Sequence, residues 1–134
     1  MESDTMTTHI LSMTYGPKIE GVRNGTIRQT IRKYNPKRPI VFGDKLLIHG
    51  WEGKPYRSPW NWRIEATVIN TEIHSANNKW FGLELWVNDC AGVLRQVAAR
   101  DGIEPPTSLG LKAVLEGFHG SFTDEPVRFQ IIRW

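Results

Sequence analysis

The stretch Arg23-Asn-Gly-Thr-Ile-Arg-Gln-Thr-Ile-Arg-Lys33 decides how this chain is read. It carries Thr-Ile-Arg twice, at 26–28 and 30–32, and a Gly43-Asp44 turn follows ten residues further on. Arg23, Arg28, Arg32 and Lys33 fall within these eleven positions, and no Asp or Glu stands among them. Packing does not account for such a run, because Lys and Arg are rarely buried without a partner. It reads as a surface that holds something anionic.

Working outward, the charge is uneven along the chain. Residues 17–63 contain 11 Lys and Arg against 3 Asp and Glu, a balance of +8; the rest of the chain contains 6 against 11, a balance of −5. The net charge of +3 conceals this split. A basic half of this kind attracts phosphates. At 134 residues, 40% hydrophobic and 23% charged, the chain reads as one globular domain over 1–134, with residues 1–8 as a flexible tail. No apolar run approaches the roughly 18 residues that span a bilayer, and the polar start with Glu2 and Asp4 is not that of a signal peptide. Cys90 is the single cysteine, which excludes an intrachain disulfide and gives a cytoplasmic expectation with no membrane partner.

The expected fold class is α+β. Strands are expected at His9–Met13, Ile40–Phe42, Lys45–His49, Arg63–Asn70, Trp80–Val87 and Val127–Trp134, from β-branched and aromatic content with turn signals between them. Asp89 is placed to cap a helix that runs to about Arg100, with Val93, Leu94, Val97 and Ala98 on one face and Asp101-Gly102 as its stop. Ser108 is placed to cap a second helix, where Leu111, Val114, Leu115 and Phe118 repeat at helical spacing. Cys90, just inside the first helix, reads as a small buried residue.

Taken together, GTIRQTIRK (25–33), FGDKLLIHG (42–50), VAARDGI (97–103) and VRFQIIRW (127–134) resemble the ASCH domain, a branch of the PUA-like superfamily. The resemblance runs from about Thr14 to the end. It implies a small, mostly antiparallel β-barrel with flanking helices, and a cleft beside the barrel that binds RNA or nucleotides. Some members are amidohydrolases of N4-acylcytidines and at least one is a ribonuclease. In the amidohydrolases a Lys stands three residues before the Thr of Thr-Ile-Arg, and a Glu comes from the helical region. The Thr and Arg of that motif fall on Thr30 and Arg32 here, and the carboxylate falls on Asp101. The Lys position falls on Ile27, which exchanges no proton. Arg28 beside it is a poor base, since a guanidinium keeps its proton above pH 12. Lys18 and Lys33 are the lysines nearest in sequence, and spacing selects neither.

The segment Gly50-Trp-Glu-Gly-Lys-Pro-Tyr-Arg-Ser-Pro-Trp-Asn-Trp-Arg63 interleaves Trp51, Tyr56, Trp60 and Trp62 with Lys54, Arg57 and Arg63. Pro55 and Pro59 make it a loop between strands. Aromatic faces among cations suit single-stranded nucleic acid, where bases stack and phosphates pair. Each Trp taken singly reads rather as a plug at the end of the fold, and the loop as a whole, with its bases interleaved, as a ligand surface. The four histidines are widely spaced, one cysteine excludes a zinc deaminase, and no metal or cofactor is implied.

Two functions follow. The first is a binding module for RNA or other single-stranded nucleic acid. Arg23, Arg28, Arg32, Lys33, Lys37, Arg38, Lys54 and Arg57 would hold phosphates, Trp51, Tyr56, Trp60 and Trp62 would stack bases, and Gln29 would hydrogen-bond a base or sugar. The second is a nucleoside hydrolase or a metal-independent ribonuclease, with Thr30 as nucleophile, Asp101 as acid/base and Arg32 on the oxyanion. The oligomeric state is not legible.

Overall fold

The computed structural model describes residues 6–88 and 92–134. The elements, in chain order, are β1 (Thr8–Ser12), α1 (Gly16–Asn24), β2 (Gln29–Lys33), β3 (Lys45–Trp51), β4 (Trp60–Thr67), β5 (Asn70–Ala76), β6 (Trp80–Phe81), β7 (Glu84–Leu85), α2 (Val93–Arg100), α3 (Ser108–His119) and β8 (Val127–Arg133). The architecture is α+β with two sheets, one ordered β1-β3-β4 and the other β2-β8-β5-β6-β7. All ladders are antiparallel except β1 with β3, which run parallel because α1 and β2 lie in the crossover between them.

β8 explains how the layers stack. Phe129 and Ile131 point into a core shared with Leu94, Val97, Leu111 and Leu115 of α2 and α3. Ile132, one residue on, points into a second core with Leu46 and Ile48 of β3 and Val22 of α1. β8 thus carries apolar side chains on both faces, Phe129 and Ile131 on one and Ile132 on the other. Its neighbour β2 divides the same way, Ile31 joining the α2/α3 core while Thr30 and Arg32 face the other side.

The sheets do not close into a barrel, contrary to the expectation. The outer edge of β1 carries no backbone ladder to β2. Side chains from the β2 region reach it instead: Arg32 Nη2 donates to the Ser12 carbonyl at 2.6 Å and Arg38 Nη2 to the Thr8 carbonyl at 2.8 Å. Guanidinium groups thus satisfy edge carbonyls that a closed barrel would pair with amides, and the strands stay apart.

Several local expectations need correction. Thr8 opens β1 and Thr7 is bonded to the Gly43-Asp44 turn, so these residues are not tail. Ile40–Phe42 is not a strand; Ile40 hydrogen-bonds with the Gln130 side chain through both its N–H and its carbonyl. The Arg63–Asn70 strand divides at Val68-Ile69 into β4 and β5, where Val68 N–H donates to the Asp44 carbonyl. Trp80–Val87 breaks into two two-residue strands around Gly82, whose φ of +62° makes a tight turn. β2 and β5 are strands that periodicity did not announce. Thr107, not Ser108, caps α3, its hydroxyl accepting from Gly110 N–H at 2.9 Å. Asp89 and Cys90 lie outside the described residues, and α2 starts after Gly92.

α1 is also unannounced. Gly16, Pro17, Gly21 and Asn24 are weak helix formers, and only Ile19 and Val22 supply an apolar face. Pro17 suits the first turn, and Gly25 ends the helix at φ +83°, the left-handed geometry glycine takes freely. The helix holds through its neighbours rather than its propensity.

Candidate functional site

Where β1 and β2 part, a cleft of about 340 Å³ opens. Its floor is polar. Lys18, from the first turns of α1, donates to Asp101 Oδ2 at 3.0 Å, to the Gln29 carbonyl at 3.2 Å and to Thr30 Oγ1 at 3.4 Å. Arg32 Nε donates to the same Thr30 hydroxyl oxygen at 3.2 Å. Thr30, Arg32, Asp101 and Lys18 therefore meet in one open cleft, with Lys18 supplied by α1.

Ile27 explains how this happens. A Cβ on Gly21 would lie 2.6 Å or less from the Ile27 side chain, and one on Gly102 would lie 2.4 Å from its Cδ1 and 2.9 Å from Lys18 Cβ. Ile27 is wedged between α1 and the turn after α2, and both glycines make room for it. Ile27 thus packs α1 against the turn after α2, beside the floor of the cleft where Lys18 meets Thr30. Gly102, at φ +73°, also turns the chain directly after Asp101.

The electrostatics of the floor are unusual. The Lys18 and Asp101 side chains are 5% and 8% exposed, so their ion pair is almost fully removed from water. Burial drives the Lys18 pKa below the ordinary lysine range; the Asp101 carboxylate opposes this by charge and hydrogen bond, and Arg32 adds to the depression. Burial likewise lowers Arg32, against the pull of Asp101 and Tyr56, but a guanidinium stays charged in a protein. Asp101 sits at the C-terminal end of α2, where the helix dipole disfavours a carboxylate. Lys18 and the Gln29 amide, which donates to Asp101 Oδ1 at 3.3 Å, offset that.

The walls are apolar. Val114, Leu115, Phe118 and His119 from α3 line one part, Met13 and Tyr15 another, and Pro55 and Tyr56 reach the rim from the β3–β4 loop. Phe118 ends the apolar stripe of α3 but is 54% exposed, because the cleft lies where a covering element would be. His119 has its pKa lowered, first by burial and then by Lys33 and Arg32.

The sequence-derived residues sort into groups. Thr30, Arg32, Asp101 and Tyr56 line the cleft. Gln29 is buried and turned away, its Oε1 accepting from Arg133 Nε and its Nε2 donating to the Val97 carbonyl at 3.0 Å; it positions Asp101 and does not reach a ligand. Arg23 and Arg28 lie at a separate cleft by the end of α1, with Arg23 5.7 Å from the Trp62 ring centroid. Trp51, Trp60 and Trp62 do not line the main cleft. Trp60 stacks on His49 with centroids 3.7 Å apart, Trp51 meets the edge of the same ring, and Trp62 packs on the β3 core. Lys33, Lys37, Arg38, Lys54 and Arg57 are exposed around the periphery. Lys18 was one of two lysines that spacing left open; Tyr15, Phe118 and His119 carried no signal separating them from packing or solvent.

Comparison with protein-family models, with curated proteins and with solved structures finds no match for this chain.

Proposed function

We propose that the protein is an amide hydrolase acting on an acylated nucleoside, with Thr30 as nucleophile and Lys18 as its general base. The observation that carries this reading is the placement of Lys18 Nζ at Thr30 Oγ1, with Asp101 behind it and burial lowering the lysine's pKa. A threonine hydroxyl attacks only when a base takes its proton. A lysine serves as that base when it is neutral, which desolvation favours.

The chemistry balances as an acyl transfer followed by hydrolysis. Thr30 Oγ bonds to the amide carbon while its proton passes to neutral Lys18. The guanidinium of Arg32, already a donor to Thr30 Oγ1, stabilises the negative oxygen of the tetrahedral intermediate. The C–N bond then breaks as Lys18 returns the proton to the departing amine. Water, losing a proton to Lys18, next attacks the Thr30 ester; the bond to Thr30 Oγ breaks as Lys18 returns that proton to it, which releases the carboxylic acid and restores both groups. Asp101 holds Lys18 in place and stabilises its protonated form. The cleft, near the lower end of the roughly 300–1,000 Å³ range for small-ligand sites, suits a nucleoside better than a polymer.

The test is release of cytidine from N4-acetylcytidine by the pure protein. Wild type is expected to release it and Thr30→Ala to lose at least about a thousandfold of the rate. Undiminished release by Thr30→Ala would overturn the assignment.

A second reading, binding of RNA or single-stranded nucleic acid, is favoured by a different observation. Arg23, Arg28, Lys33, Lys37, Arg38, Lys54 and Arg57 are exposed, and among the described residues none of them pairs with a carboxylate. These cations surround the fold rather than the cleft, so this reading gives the nucleic acid an outer surface.

A further inference from the structure

The tip of the β3–β4 loop carries a residue of the wrong kind for its backbone. Arg57 N–H donates to the Lys54 carbonyl at 3.1 Å, which closes a four-residue turn over Lys54-Pro55-Tyr56-Arg57. Pro55 holds the second position and Tyr56 the third, at φ +63°. Proline followed by a residue at positive φ is the pattern of a type II turn, whose third position takes Gly or Asn without steric cost. Tyr56 is the one non-glycine residue at positive φ among the described residues.

Packing does not explain the tyrosine. It is 81% exposed, so burial of its ring returns little. The loop does not need it either. Ser58 Oγ accepts from Gly53 N–H and donates to the Lys54 carbonyl, both at 2.9 Å, and Glu52 N–H closes the base on the Pro59 carbonyl at 2.8 Å. What Tyr56 does have is a place on the cleft rim above Arg32, with Trp51 supporting one side of its ring at 5.1 Å. Backbone strain at a site rim, held by a loop that does not require it, is where function is to be sought.

We infer that Tyr56 is the specificity residue of the cleft: the turn holds its ring out so that it stacks on the planar base of the substrate while the acyl group reaches Thr30. The apolar lining, with Tyr15 and Phe118 among it, suits the same flat heteroaromatic ring. This rests on the amide-hydrolase reading for the reacting end of the substrate. The ring-binding end is independent of whether the amide is cut.

The experiment uses cytidine, which has no acyl group to lose, and calorimetry on the full chain. Wild type and Tyr56→Phe are expected to bind it within about twofold of each other, and Tyr56→Gly about tenfold or more weakly. Tyr56→Gly is also expected to melt no lower than wild type, since glycine relieves the strained position. Cytidine binding by Tyr56→Gly as tight as wild type, or no cytidine binding by wild type, overturns the inference. Cleavage of N4-acetylcytidine separates the two ideas. If cytidine binds through Tyr56 and the acyl compound survives, the hydrolase reading fails and the stacking stands. If cleavage proceeds with unchanged KM in Tyr56→Gly, the stacking fails and the hydrolase reading stands.

Discussion

Lys18 lies twelve positions before Thr30, and no local spacing rule brings the two together. In the fold its ammonium touches Thr30, Asp101 and the Gln29 carbonyl at once. Replacing it with methionine would leave the buried Asp101 without its ion-pair partner, so Lys18→Met should lose activity and about 3–5 kcal/mol of stability by denaturant unfolding. Because the folded pKa of Lys18 is lowered, the unfolded chain holds the proton to higher pH than the folded one. Stability should therefore rise with pH from the lowered folded value up to the ordinary lysine value of about 10.4, and a Lys18→Met background should flatten that rise. Asp44 gives the opposite sign. Burial pushes its pKa up, but bonds from His9, Val41 N–H and Thr7 N–H outweigh burial and hold it below the usual carboxylate range. Its contribution is complete above about pH 4 and is lost as pH falls through the folded value, so Asp44→Asn should weaken the acid dependence of unfolding. The Gly-Asp turn was visible in the sequence. That its carboxylate ties down the N-terminal strand was not, because the partners Thr7 and His9 lie some 35 residues away.

Gly21 sets the seat of α1 and with it the place of Lys18 beside Thr30. A methyl group there would meet the Ile27 side chain at well under contact distance, so Gly21→Ala should cost about 1–3 kcal/mol and lower activity by displacing Lys18. A circular dichroism melt read beside the rate would show both effects in one variant. At α3, Thr107→Ala removes the hydroxyl that accepts from Gly110 N–H and should cost about 1 kcal/mol in denaturant unfolding, with Ser108→Ala no substitute for it. The elements with a strong pattern were legible: α2 and α3 from their apolar spacing, β1 and β3 from short apolar runs, β3 beside the Gly43-Asp44 turn, and β8 from its alternation. α1 was not, because two glycines, a proline and an asparagine leave it little intrinsic preference. Ile40–Phe42 misled because an apolar triplet beside a turn resembles a strand, whereas Ile40 is fixed by the Gln130 side chain. Thr30, Arg32 and Asp101, which the motif singled out together, do line one cleft. The aromatic walls were not legible, since Phe118 looks like the end of a core stripe and Trp51, Trp60 and Trp62 look like a stacking platform.

At the scale of the molecule, the site exists because the sheets stay open. The expected barrel does not close, and beside the cleft two arginine side chains reach edge carbonyls of β1. The basic half of the sequence becomes two things: two cations on the floor, Lys18 and Arg32, and an exposed outer set that carries the nucleic-acid reading. If that outer set binds single-stranded RNA, affinity should fall steeply between about 50 and 200 mM salt, since each neutralised phosphate releases counterion. A fluorescence-anisotropy titration giving equal affinity at both salts would remove the electrostatic basis of that reading. Among the described residues no helix is long and apolar enough to cross a membrane. The central proposal is that a buried lysine from α1, its pKa lowered by burial, activates Thr30. Its most direct test is the pH profile of kcat/KM for N4-acetylcytidine hydrolysis in wild type and Lys18→Arg. The account predicts a rate that rises with pH through a midpoint below the ordinary lysine value of about 10.4, and loss of that activity in Lys18→Arg, which keeps the charge and cannot give up its proton. A profile flat with pH, or an arginine variant as fast as wild type, would contradict it.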